Sequence, residues 1–117
     1  MNYYEHTFIA RQDLSETQLK NLQKKYEKLI QDNSGKILKT ELWGLRNLSQ
    51  EIRKNKRGYY VHFKFEGIGK TIEELEKIEN IDETLIRYLT IRMKKLELDN
   101  NYFEKKDYQK TEKNEKN

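Results

Sequence analysis

The spacing of hydrophobic positions switches between period two and helical period along this chain, and the switches mark its elements. Tyr3 to Arg11 alternates and is rich in aromatic and β-branched residues, so it predicts a strand. Ser15 followed by Gln18 is a capping-box pattern that opens a helix, and Leu19, Leu22, Tyr26, Leu29 and Ile30 then form one apolar stripe. Gly35 is expected to end that helix in the left-handed conformation. A second strand starts at Ile37 and runs to about Ile52, with a kink at Gly44. A turn over Asn55 to Gly58 leads into a third strand, Tyr59 to Glu66. Thr71 caps a second helix with Ile72, Leu75 and Ile78 as its buried edge, and a last strand covers about Leu85 to Met93.

The order β-α-β-β-α-β closes most simply as an α+β, ferredoxin-like domain: a four-stranded antiparallel sheet with two helices on one face. The pattern ends near Asp99, which sets a domain at 1–98 and a tail at 99–117. The last stretch, EKKDYQKTEKNEKN, has no apolar periodicity and carries five Lys and four acids. It reads as a disordered, solvated tail.

With both helices on one side, parity assigns the residues of the other face. Tyr59, Val61, Phe63 and Phe65 form the inner set of the third strand, and Tyr60, His62, Lys64 and Glu66 point outward. The last strand divides into Ile86, Tyr88 and Thr90 on one side and Arg87, Leu89, Ile91 and Met93 on the other, and neither side is polar throughout. Two readings stay open: a protein partner covers the second face, or a bulge shifts the parity. Leu42, Trp43, Leu45 and Leu48 crowd around Gly44 in the same way, either exposed for a complex or buried by a twisted strand. Trp43, Leu45, Leu48, Tyr60, Leu89 and Ile91 are the candidate partner-binding residues.

Composition adds charge to this picture. The chain is 38% charged and 34% hydrophobic, with a net charge of +4, so its core must be small. The excess is local. Between Arg46 and Arg57 stand five basic residues and one acid, Glu51. A basic hairpin tip followed by an aromatic strand suits a polyanion with flat bases, RNA in particular. The absence of Cys excludes disulfides and thiolate chemistry and fits a reducing cytosol. No apolar run approaches a membrane span, and the start MNYYEHTFIAR is not a signal peptide, so a soluble intracellular chain is expected.

Catalytic and metal chemistry find little support. His6 and His62 are expected on opposite faces, with His6 a core polar group, and no third ligand stands at a suitable spacing. No G-x-S-x-G or phosphate-cradling glycine loop is present. Acylphosphatases share the topology but need an anion-binding loop after the first strand, where this chain has RQDLSETQ, with an aspartate and no glycine. An RNA-recognition motif also shares it, and Arg57-Gly58-Tyr59 matches the start of its RNP1 sequence. The match breaks at Tyr60 and Val61, which leaves phosphate contact better supported than base stacking. No enzyme, cofactor or metal is expected.

Tyr4-Glu5 near the start, Trp43-Gly44-Leu45-Arg46, Leu48, Ile52, Lys54, Gly58-Tyr59 and Arg87 together resemble the bacterial small-subunit ribosomal protein S-six family. The likeness runs from residue 2 to about residue 96. It implies a ferredoxin-like fold and a structural, ribosome-associated role in the cytoplasm. It also implies a heterodimer with small-subunit ribosomal protein S-eighteen, bound jointly to small-subunit ribosomal RNA in the central domain, the platform. Arg46 and Arg87 match family positions and lead the RNA-binding candidates, followed by Lys54 and Arg92. Arg53, Lys56 and Arg57 join them on local charge. His6 departs from the family, where an aliphatic residue is expected.

Overall fold

A computed structural model describes residues 1–95. The expected tail at 99–117 and the last residues of the 1–98 domain lie outside the described residues. Four strands and two helices follow in the anticipated order: β1 (Asn2–Arg11), α1 (Glu16–Asp32), β2 (Lys36–Ile52), β3 (Asn55–Gly67), α2 (Gly69–Ile81) and β4 (Leu85–Met93). The sheet order is β2-β3-β1-β4 and every pairing is antiparallel, which is the ferredoxin-like arrangement.

Alternation places Tyr4, Phe8, Ala10, Val61, Phe63 and Phe65 on one face of the two central strands, all buried. They meet Leu22, Tyr26 and Ile30 of α1 and Leu75 of α2. The Phe8 ring lies 5.3 Å from that of Tyr26 and 5.9 Å from that of Phe63. Each such buried ring contributes about 1.5–3 kcal/mol relative to exposure. The Ser15 hydroxyl accepts from the Gln18 backbone N–H (3.1 Å), while the Gln18 side chain accepts from the Ser15 N–H (2.8 Å), so the capping box fixes the start of α1.

Local geometry corrects the sequence reading at several points. The left-handed residue after α1 is Ser34 (φ 69°), not Gly35. Gly35 is required for room instead: a Cβ there would stand 2.5 Å from the Ile30 Cγ2 and 2.7 Å from its carbonyl. The tight turn of the long hairpin lies at Arg53 and Lys54 (φ 48° and 68°), upstream of the expected Asn55–Gly58, and β3 starts at Asn55. Positive φ at both central residues matches the twist of a hairpin but strains side chains other than Gly and Asn. Asn55 offsets this. Its amide donates to the carbonyls of Ile52 and Arg53, and its oxygen accepts from the Gln12 N–H at 3.1 Å, which docks the tip onto the loop after β1. Thr71 does not precede α2 but lies in its first turn, where its hydroxyl accepts from the Ile68 N–H and donates to the Asn33 carbonyl. The inward stripe of α2 is Thr71, Leu75 and Glu79, with Ile72 and Ile78 half-buried at its margins.

His6 is fully buried, as expected of a core polar group. One ring nitrogen lies 2.5 Å from Glu79 Oε2 and the other 2.6 Å from the Thr90 hydroxyl, so one side chain ties β1 to α2 and β4. Burial pushes the Glu79 carboxyl above its ordinary range, against the downward pull of the hydrogen bond and charge of His6.

Candidate functional site

The face of the sheet away from the helices is not a flat polar surface. His62 and Lys64 alternate outward from β3 as parity requires, yet they are 2% and 2% exposed. Trp43 stacks on the first of them. The β2–β3 register shifts between Leu42 and Gly44, so Trp43 is the extra residue of a bulge, followed by Gly44 at φ +84°. The bulge lays the indole nearly flat over β3, with its ring centre 5.9 Å from Tyr60 and 5.1 Å from His62. Its N–H donates to Glu41 Oε1 at 3.0 Å, and Glu41 Oε2 lies 3.2 Å from the Lys64 ammonium. His62 in turn contacts the Thr7 hydroxyl at 2.6 Å and Glu5 at 3.3 Å. Polar contacts therefore run across β2, β3 and β1 on this face.

Beside these stacked rings lies a groove of about 380 Å³. Thr7 and Ile9 of β1 line it together with Trp43 and Tyr60 on one side and Leu89 and Ile91 of β4 on the other. Leu89 is 60% exposed and Ile91 48%, large fractions for aliphatic side chains of a strand. The expected bulge is present as well. Ile9 pairs with Arg87 and Ala10 with Leu85, which makes Ile86 the extra residue and lets both Leu85 and Ile86 be buried. The parity shift thus accounts for the start of β4 but leaves Leu89 and Ile91 in the open.

Of the candidate partner-binding residues, Trp43, Tyr60, Leu89 and Ile91 come together at this groove. Leu45 does not. It pairs with Tyr59, which packs on the core, so it belongs to the helix side of the sheet, at 38% exposure. Leu48 is half-buried in the stretch of β2 between Asn47 and Ile52, where the ladder with β3 is interrupted.

The basic candidates divide in a similar way. Arg46, Arg53, Lys54, Lys56, Arg57 and Arg87 gather at the end of the sheet where β1 finishes and β3 and β4 begin, and all are exposed. Arg46 opposes Gly58 and donates through Nε to the Trp43 carbonyl at 3.0 Å. Arg53 reaches from the hairpin tip to the Leu85 carbonyl at 3.3 Å, and the Arg57 backbone N–H donates to Gln12. Arg87 lines the groove itself. Arg92 stands apart: it pairs with Tyr4 on the helix side, at the opposite end, and donates to Asn2. Glu41, Lys64, His62, Glu5 and Thr7 were missed as site residues, because parity alone reads them as facing solvent and their burial is set by contacts distant in the chain.

Among the described residues, no group of three His, Cys, Asp or Glu side chains could hold a metal ion, and no helix is long and apolar enough to cross a membrane.

Comparison with known proteins bears on the same stretch. The family model described as Ribosomal protein S6 matches residues 3–92. The small ribosomal subunit protein bS6 of Pelagibacter ubique is 55% identical over 113 residues, covering 96% of this chain and 93% of that one. Its counterpart in Zymomonas mobilis is 44% identical over 93 residues, covering 80% and 75%. The crystal structure of 30S ribosomal protein S6 from Thermotoga maritima superposes with a TM-score of 0.75 at 28% identity, covering 95% of this chain and 97% of that one. The exposed groove and the basic sheet end lie within the matched residues, and the chain belongs to the ribosomal protein S6 family of the small ribosomal subunit.

Proposed function

We propose that this chain is a non-catalytic structural component of the small ribosomal subunit, working on the cytoplasmic ribosome. In this reading it binds small-subunit ribosomal RNA of the central domain, the platform, jointly with a partner ribosomal protein. Membership of the family supports the ribosomal role, and the resemblance of the hairpin motif and Arg87 points to small-subunit ribosomal protein S-eighteen as the partner. The observation that carries the joint binding is the continuity of two surfaces. Arg87 lines the apolar groove and belongs to the basic end, and Arg46 bonds to the backbone of Trp43 on the other side. A protein covering Leu89, Ile91 and Trp43 would therefore sit beside the cations that hold phosphates, and each partner would complete the other's site.

A gel shift on central-domain ribosomal RNA, with and without the partner, tests this. The expected result is weak binding by this chain alone and tight binding by the pair. Tight binding by this chain alone would overturn the joint site, and failure to co-sediment with small subunits would overturn the ribosomal role.

A further inference from the structure

We infer that the partner protein brings a carboxylate into the groove to pair with Arg87, which makes Arg87 a contact to protein rather than to RNA. The inference rests on the proposed protein contact at that groove and names the chemistry of the segment that fills it. Three rows of residues cross the open face from β4 to β3: Arg87–Ile9–Tyr60, Leu89–Thr7–His62 and Ile91–Glu5–Lys64. Arg87 therefore shares a face with Leu89 and Ile91 and stands one row, about 7 Å, from Leu89. The rows differ in how their charges are met. At the far end Glu5 lies 3.3 Å from His62 and Lys64 lies 3.2 Å from Glu41, so that end is matched within the chain. At the near end Arg87 is exposed beside Ile9 and Tyr60, and among the described residues no carboxylate forms an ion pair with it. The groove thus offers a partner one unmatched positive charge at the end of an apolar wall. A protein that buries Leu89 and Ile91 also takes water from the adjacent guanidinium, and a cation buried without a counter-charge is strongly unfavourable. A carboxylate in the covering segment removes that cost, and its two oxygens match the guanidinium fork. Phosphate would match the charge as well, but the RNA backbone would have to enter beside Leu89, in the space the partner fills. The hairpin-tip cations Arg53, Lys54, Lys56 and Arg57 stand clear of the groove lining, where phosphates can reach them.

In the full chain, Arg87→Met removes the charge and keeps an apolar stem. Binding of S-eighteen without RNA, measured by calorimetry, should weaken by about 30-fold or more, the scale for breaking one side of a buried charge pair. With saturating S-eighteen, the salt dependence of binding to central-domain RNA should keep its wild-type slope. A lost phosphate contact would instead flatten that slope by roughly 0.7–0.9 of a log unit per log unit of salt. Neutralising the Asp and Glu residues of S-eighteen one at a time should find one whose loss costs nothing further in the Arg87→Met background. In a Leu89→Ala background, the control, the same neutralisation should still cost its full amount. A flattened slope assigns Arg87 to RNA and overturns the inference, as does wild-type affinity of Arg87→Met for S-eighteen or the absence of any coupled acid. If the unmodified chain does not bind S-eighteen, the proposed function fails and takes the inference with it, an outcome read before any variant is compared.

Discussion

Beneath the helices, His6 and Glu79 are sealed between layers: the imidazole stacks on Phe63, and the carboxylate reaches it from α2. On the opposite face Lys64 and Glu41 are buried almost as fully, on a side of the sheet that no described helix covers, and Glu41 accepts from the Trp43 indole. The first pair is protected by tertiary packing that can open only with the domain. The second lies where no described helix packs, with the Trp43 indole bonded to its carboxylate. One sheet thus carries a helix-covered interior on one side and a partial interior on the other. The partial one stops short of Leu89 and Ile91, and that unfinished edge is where a partner fits.

The largest difference between the faces should come from simple truncation. Phe8→Ala, under the helices, is expected to cost about 3–5 kcal/mol in denaturant unfolding. Leu89→Ala should cost under about 0.5 kcal/mol, since its side chain is mostly in water already. Comparable losses would erase the distinction between the faces.

Deleting one member of each buried pair sharpens the comparison. Glu79→Ala leaves His6 without its carboxylate in a site water cannot enter, and should cost about 3–5 kcal/mol. Glu41→Ala removes one carboxylate from Lys64 on the face without a helix layer, so its cost should be about 1–2 kcal/mol, within the ordinary range of single substitutions. Equal costs by chemical denaturation would mean that the second face shields its ion pair as firmly as the helices shield theirs.

The pH dependence should also belong to the helix side. Burial raises the Glu79 carboxyl above its ordinary 4.5, so its contribution is full below that value and is lost as pH rises through the raised one. For Asp82 at the end of α2, burial acts upward, but hydrogen bonds from Thr84, Tyr26 and Lys25 outweigh it and hold the group at about 2. Its contribution is present above the ordinary 3.8 and is lost as pH falls toward about 2. Asp82→Asn should therefore flatten the acid limb of a stability–pH curve, and Glu79→Gln the decline on the rising side. Unfolding midpoints across the pH range read both.

The smallest effect on folding should come from the basic end. Arg57→Ala should leave stability within about 0.5 kcal/mol. In RNA binding by the pair with its partner protein, it should flatten the salt dependence by roughly 0.7–0.9 of a log unit per log unit of salt. Arg92→Ala, on the helix side at the far end, should leave that slope unchanged. An equal slope change for the two would undo the division of the cations by position.

Much of this was legible in the residues because it depends on near neighbours. The capping box at Ser15, the stripe from Leu19 to Ile30 and the alternation of Phe8, Val61, Phe63 and Phe65 are short-range patterns, and each appears where expected. Most basic candidates fell together because they cluster in sequence around one turn. The errors lie where chain geometry is set from outside the segment. Gly35 is needed for closeness to Ile30 rather than for handedness, and the hairpin turns at Arg53-Lys54 because Asn55 is docked on Gln12.

By itself the sequence determined the order of elements, the two-faced sheet, the family motif and the place of the charge excess, since periodicity and spacing encode all of these locally. Tertiary structure decided the rest: which residues became bulges, that Arg87 lines the groove while Arg92 faces the other way, that Leu45 lies on the helix side, and that Lys64 and His62 are buried on a face no described helix covers. A bulge is set by the register between strands far apart in the chain, and inserting one residue reverses every parity beyond it.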